Sequence, residues 1–341
     1  MSKRKIIIAA PLLTILLGAS GTSAAEQLTM YCSAQQTWCE ATATAFTKKT
    51  GIPVAMQRKD TGAALAQIRA EAGNPQADIW WGGSGDSHIQ AAQENLTVEY
   101  KSPNISELHP WALEQAEQAG FKTVGIYAGV LGWGYNKEFF EKNNLQPPLS
   151  WKDLERPEYE GEIQVANPNT SGTAYTALAT LVQLYGEDEA FDYLKRINGN
   201  ISEYTQSGTA GIRSAALGET GIGIAFLHDV IEQAASGFPV IAVAPSDGTG
   251  YEIGGMSLIA NSRNPEVAKQ FYDWALTAEA QSNALPNKAY QIQSNKAVEP
   301  AAESPKLDTT KLIDYDFAKY GSAETRKALL ARWDAEIGAG R

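Results

Sequence analysis

Residues 221–229 read GIGIAFLHD: an apolar run ends at Phe226 and Leu227, and His228 and Asp229 follow side by side. Glu252 comes later, in TGYEIGG. One imidazole and two carboxylates admit three kinds of chemistry. They can ligate a metal through nitrogen and oxygen. They can act as an acid–base pair. Ionised carboxylates also accept hydrogen bonds well from the hydroxyls of a sugar. For Asp229 a purely structural role stands beside these, because Asp is a favoured helix N-cap and VIEQAASG follows it.

A second set of residues recurs in five loops: CSAQQ (32–36), KDTGAA (59–64), GGSGDS (82–87), NPNTSGTA (167–174) and TQSGTAG (205–211). Each carries hydroxyl residues or glycine and leads into a helix. A helix N-terminus offers unpaired N–H groups and the positive end of its dipole. Several such termini converging on one cleft would hold an anion without lysine or arginine. Taken singly, each loop is explained by ordinary capping. The signal is that all five fall at successive strand ends. Thr170, Ser171, Gly172 and Thr173 offer the most donors, and no lysine follows the glycine as a phosphate-binding P-loop would require.

Other chemistry finds little support. There is no G-x-S-x-G elbow and no H-E-x-x-H. A secreted phosphatase would need a nucleophile or a bound metal, and neither is evident. His88 falls on the first turns of a cleft helix and His109 in a surface loop before Pro110; Arg58, just before KDTG, is read as solvated, with help to an anion as the other reading. Trp81, beside the glycines of IWWGG, is placed as core or as a wall of the cleft.

The elements that must position these groups follow from periodicity. QLTMYC, IPVAMQR and ADIWWGG read as strands separated by two amphipathic helices, implying a parallel, doubly wound sheet. GEIQVANP opens a second such series, which ends at GIGIAF. Between them, Phe121–Phe140 is a long β-prone stretch interrupted by Gly125, Gly129, Gly132 and Gly134, suited to a chain that crosses between lobes and bends. Phe238–Ala260 mirrors it, and the tail from Thr309 reads as two helical stretches. The expectation is an α/β, two-lobed clamshell. Residues 26–128 and 255–308 form lobe 1, and 129–254 form lobe 2. Residues 309–341 are C-terminal helices packing on the lobes. Each lobe has a mostly parallel sheet flanked by helices, and two hinge crossings join them around a central ligand.

Lys3, Arg4 and Lys5 precede the apolar stretch Ile6–Leu17 and the small residues Ser23 and Ala25, the pattern of a signal peptide over residues 1–25. Its removal takes the formal charge from −11 to about −14, three cations fewer. So acidic a surface argues against nucleic acid and anionic membranes as partners. Export makes a disulfide between the two cysteines, Cys32 and Cys39, plausible as a short local staple.

With these residues in place, the chain resembles the type 2 periplasmic substrate-binding proteins of ABC importers, in the ferric-binding branch. The resemblance runs from about Leu28 to Ala284 and rests on YCSAQQ, ADIWWGG, NPNTSGTAY and GETGIGIAF. Ferric binders of this branch carry adjacent tyrosines after the last of these strands. Here Leu227, His228 and Asp229 hold that place, which argues against iron as cargo, the alternative reading. The chain is more similar to members that bind hexose phosphates. That likeness implies His228, Asp229 and Glu252 on the sugar hydroxyls. It implies Ser33, Thr61, Ser84, Thr170, Ser171, Gly172 and Thr173 on the phosphate. It further implies a periplasmic monomer with no cofactor, no resident metal and no catalysis, which delivers its sugar phosphate to an inner-membrane permease.

Overall fold

The computed structural model describes residues 27–338; the signal-peptide reading lies outside them. The first half contains β1 (Leu28–Cys32), α1 (Gln36–Thr50), β2 (Val54–Arg58), α2 (Thr61–Ala70), β3 (Ile79–Ser84), α3 (Gly85–Gln93) and α4 (Pro110–Gln118). β4 (Val124–Asn136) and α5 (Lys137–Lys142) lead to β5 (Ile163–Ala166), α6 (Gly172–Tyr185), α7 (Glu187–Ile197), β6 (Ile201–Thr205), α8 (Ala210–Leu217), β7 (Ile222–Phe226) and α9 (Leu227–Ala235). The chain returns through β8 (Val240–Val243) and β9 (Tyr251–Leu258) to α10 (Pro265–Ala275), α11 (Ala278–Gln281) and β10 (Ile292–Gln293). It closes with α12 (Phe317–Tyr320) and α13 (Ala323–Trp333).

The strands order as β2-β1-β3-β9-β4-β7-β5-β6, with β8 and β10 also on β4. β2, β1 and β3 are parallel, as are β6, β5 and β7. β4 and β9 run antiparallel to their neighbours and tie the two sets together. Each lobe is therefore a mixed sheet with a parallel set of three. One buried apolar cluster draws on Leu28–Tyr127 and Met256–Ala289; another takes in Leu131 and Trp133 of β4, β5, α6, β7 and the tail, and reaches Ile89 of α3 and Ile253 of β9. The seam between them lies along β4 and β9.

β4 runs as one strand from Val124 to Asn136, with a register shift against β9 between Gly125 and Tyr127, and none of its four glycines has a positive φ. A methyl at Gly132 would overlap the Val243 carbonyl, and one at Gly134 the Ile212 side chain. Glycine is there because neighbouring elements pack directly on the backbone.

Of the tail, α13 is helical as expected, but residues 311–316 are extended. Thr249 N–H donates to Lys311 O (3.0 Å) and Ile313 N–H to Thr249 O (2.9 Å), using backbone groups a helix would need. The tail touches both lobes. Tyr315 Oη donates to Asp86 Oδ2 of α3 (3.1 Å), while the Arg326 guanidinium lies 3.8 Å over the Tyr175 ring of α6.

Cys32 and Cys39 are bonded, joining the end of β1 to the second turn of α1. So short a loop restrains the unfolded chain only modestly. Replacing both by serine is expected to cost about 2 kcal/mol in equilibrium urea unfolding. A loss within error of zero would show that the staple does not stabilise the fold.

Candidate functional site

Right-handed β–α connections place the helix N-termini at the carboxyl ends of the parallel strands. Both lobes point these ends at one cavity of about 330 Å³. That falls within the range of small-ligand pockets. Around the cavity α1, α2, α3, α8 and α9 have no side-chain N-cap bond, whereas α6 is capped, Ser171 Oγ accepting from Ala174 N–H at 3.4 Å. The loop hydroxyls are thus largely not spent on capping.

Ser33, Thr61, Ser84, Ser171, Gly172 and Thr173 all line the cavity. Glycines let them converge. A methyl at Gly172 would overlap Ser84 Oγ and sit 3.1 Å from Thr61 Oγ1; one at Gly83 would sit 2.6 Å from Thr61 Oγ1. Ser84 Oγ is buried and has no hydrogen-bond partner among the described residues. Thr170 is not in the lining: its hydroxyl is turned to Asn167 O (3.2 Å) and Gln206 O (2.9 Å), bracing its own loop. Its carbonyl instead accepts from Gly62 N–H across the cleft (2.9 Å).

At the other end His228, Asp229 and Glu252 come together, all buried. His228 Nε2 is 3.6 Å from Asp229 Oδ2 and 3.9 Å from Glu252 Oε1. The sheet register brings Glu252 opposite Gly129, where a methyl would lie 2.6 Å from His228 Nδ1. The imidazole stacks near Phe226. Asp229 does not cap α9; its Oδ1 accepts from Gln35 Nε2 of the other lobe at 2.8 Å. Ser207 Oγ likewise donates across the cleft to Asp60 Oδ1 (3.1 Å), so the lobes are closed on the cavity.

Burial governs the charges. It pushes the Asp229 carboxyl up to about 7, against the pull of Gln35, Arg213 and Arg58, and holds Glu252 well above the usual range, with Asp229 adding to the effect. Burial drives His228 down to about 3. Near neutrality the imidazole is uncharged, and burial favours the neutral form of Glu252. The sign for Asp229 follows: between about 4 and 7 the folded protein keeps a proton that the unfolded chain loses, so stability falls as pH rises. His228 acts oppositely between about 3 and 6.5. Asp229→Asn should therefore gain melting temperature relative to the parent as pH rises from 4 to 7. A difference independent of pH would contradict this.

Arg58 lines the cavity, the less favoured of its two readings, and pairs with Asp60 at 2.5 Å. Several other lining residues were not singled out from the sequence. Ser207, Gly208 and Thr209 belong to the TQSGTAG loop, whose composition was the available signal. Gln35 sits in the CSAQQ loop. Tyr127, Arg213 and Gln291 carried no local signal. Trp81 is core, edge-on to Trp38 at 4.7 Å, and His88 is buried between Ser257 Oγ (2.8 Å) and Gly82 O (3.0 Å), away from the cavity.

A two-lobed α/β fold closed over an interlobe cavity is the build of a solute-binding protein. Over residues 28–283 the chain matches the bacterial extracellular solute-binding proteins, and it belongs to that family. It is 42% identical over 339 residues, 98% of each chain, to a Haemophilus influenzae protein named only as uncharacterized. The periplasmic binding protein AfuA of Actinobacillus pleuropneumoniae, solved with exogenous fructose 6-phosphate bound, is 43% identical. It superposes with a TM-score of 0.90 over 92% of this chain and 99% of that one. Iron-bound HitA of Pseudomonas aeruginosa, 22% identical with a TM-score of 0.72 over 90% of this chain and 99% of its own, shares the fold. Among the described residues no helix is long and apolar enough to cross a membrane.

Proposed function

We propose that the chain is the periplasmic component of an ABC importer that captures a hexose monophosphate such as glucose 6-phosphate and hands it to an inner-membrane permease. One observation carries this reading: the cavity has two chemically different ends. Helix N-termini and Ser/Thr hydroxyls at one end suit a phosphate. His228, Asp229 and Glu252 at the other suit the hydroxyls of a polyol. The fructose 6-phosphate bound in AfuA is a ligand of this class, with a phosphate and sugar hydroxyls in one molecule. Lobe 1 (26–128 and 255–308) would supply Ser33, Thr61 and Ser84. Lobe 2 (129–254) would supply Ser171, Gly172, Thr173, His228 and Asp229, with Glu252 on the return crossing. The chain does no chemistry on its cargo in this reading.

Calorimetric titration with glucose 6-phosphate, fructose 6-phosphate, glucose and inorganic phosphate tests it. The phosphosugars should bind at least tenfold more tightly than either fragment, since each fragment engages only one end. Binding of none of them, with tight binding of ferric ion, would replace this reading by the iron-carrier alternative. Against that alternative stands the donor set: Leu227, His228 and Asp229 follow β7, with no adjacent tyrosines there to serve as phenolate ligands.

A further inference from the structure

We infer that Gln35 and Gln291 form an amide relay that positions the Asp229 carboxylate from across the cleft, so that Asp229 recognises ligand hydroxyls with help from the opposite lobe; this rests on the sugar-phosphate reading above. Gln291 Nε2 donates to Gln35 Oε1 at 2.7 Å, and Gln35 Nε2 donates to Asp229 Oδ1 at 2.8 Å. All three side chains are buried, at 3%, 7% and 4% exposure in that order of the chain Gln291, Gln35, Asp229.

The polarity of this chain is set by chemistry. The ionised form of Asp229 only accepts, so in that form Gln35 turns its NH₂ toward it. Its carbonyl then faces Gln291, which must turn its own NH₂ inward. With Asp229 ionised each amide takes one orientation, and each is held by the next. Gln291 is itself anchored, because β10 begins at the following residue and pairs with β4 at Ala128 and Tyr127, beside the seam between the lobes.

Nothing else performs this task for Asp229. Among the described residues Gln35 is the single group that hydrogen-bonds its side chain. His228 Nε2 stands off at 3.6 Å, and Arg58, Arg213, Glu232 and Glu252 act on Asp229 or respond to it only through their charges. Gln35 has no competing duty either: it occupies the N-cap of α1 without a side-chain cap bond. A donated hydrogen bond favours the charged form of a carboxylate, so the relay pulls Asp229 back toward ionisation against its burial. That keeps the carboxylate an acceptor for sugar hydroxyls.

The test compares the mature protein with Gln35→Ala, Gln35→Met and Gln291→Met. Methionine keeps the volume of glutamine and removes the donor. Glucose 6-phosphate affinity should fall about tenfold in both Gln35 variants, the loss of one hydrogen bond to a charged group. Gln291→Met should show a smaller loss. Affinity for inorganic phosphate should stay within about twofold of the parent, because the phosphate end is untouched. In parallel, the ¹³C titration of the Asp229 carboxyl should move to higher pH in Gln35→Met. Recovery of full glucose 6-phosphate affinity by Gln35→Met would show a packing role and overturn the relay. An unmoved Asp229 titration would overturn it as well. If the parent does not bind glucose 6-phosphate, the proposed function fails, and the carboxyl titration alone decides the relay.

Discussion

Gly62→Ala is expected to weaken hexose-phosphate binding by about 10- to 100-fold, the range set by forcing extra volume into a packed contact. Gly62 lies in the first turn of α2, where it donates to Thr170 O from the other lobe. An added methyl would overlap Asn169 O and come within 2.8 Å of Thr170 O. Both obstacles are main-chain carbonyls in a braced loop, so neither can swing aside as a side-chain end would. The clash exists only where the lobes meet. In a ligand-free protein free to open, it is relieved at no cost, and the melting temperature without ligand should be nearly unchanged. Small-angle scattering with saturating ligand should show incomplete closure as a larger radius of gyration. Gly73→Ala is the matched control, because a methyl there meets nothing within 4 Å. Parent-like affinity in Gly62→Ala would mean that the closed contact is not part of ligand capture.

Asp229→Ala should cost about 1.5–3 kcal/mol of hexose-phosphate affinity, as for hydrogen bonds that involve a charged group, and Glu252→Ala about 0.5–1.5 kcal/mol, as for a neutral pair. The two are not equivalent. Burial favours the neutral form of Glu252, so Glu252→Gln, which keeps the shape and a donor, should cost less than alanine. Asp229 sits nearer ionisation, and asparagine there would put an NH₂ toward either the Gln35 donor or the ligand. Asp229→Asn should therefore lose nearly as much as Asp229→Ala. Neither alanine variant should unfold the protein, since burying an acid whose neutral form is favoured contributes little stability near neutrality. A large fall in melting temperature with unchanged affinity would assign these residues to the fold and not to the ligand.

The β–α alternation, the long crossing stretches and the small-residue loops at strand ends were legible because each is a local pattern: period-two or period-3.6 burial, and turn chemistry at a boundary. The staple between Cys32 and Cys39 was legible for the same reason, both thiols lying within nine residues of chain. The failures were also physical. Thr170 looked like one more hydroxyl in TSGT, yet its loop curls so that the hydroxyl braces Asn167 and Gln206. Arg58 looked solvated because its partner Asp60 and the opposing Ser207 meet only in the folded cleft. Residues 311–316 have helical composition but are taken up by Thr249.

By itself the sequence determined which groups would stand at the strand ends, because the β–α unit sends every strand's carboxyl end into a helix N-terminus on one side of the sheet. It also determined that His228 and Asp229 would be adjacent, and that no tyrosine pair would replace them. Only the tertiary structure decided which loops share one cavity. It decided that Glu252 faces His228 through the β4–β9 register, and that Asp229 is gripped by Gln35 of the far lobe. Those contacts join residues far apart in the chain, and their distances depend on how two separately packed lobes close on each other, which no local periodicity encodes.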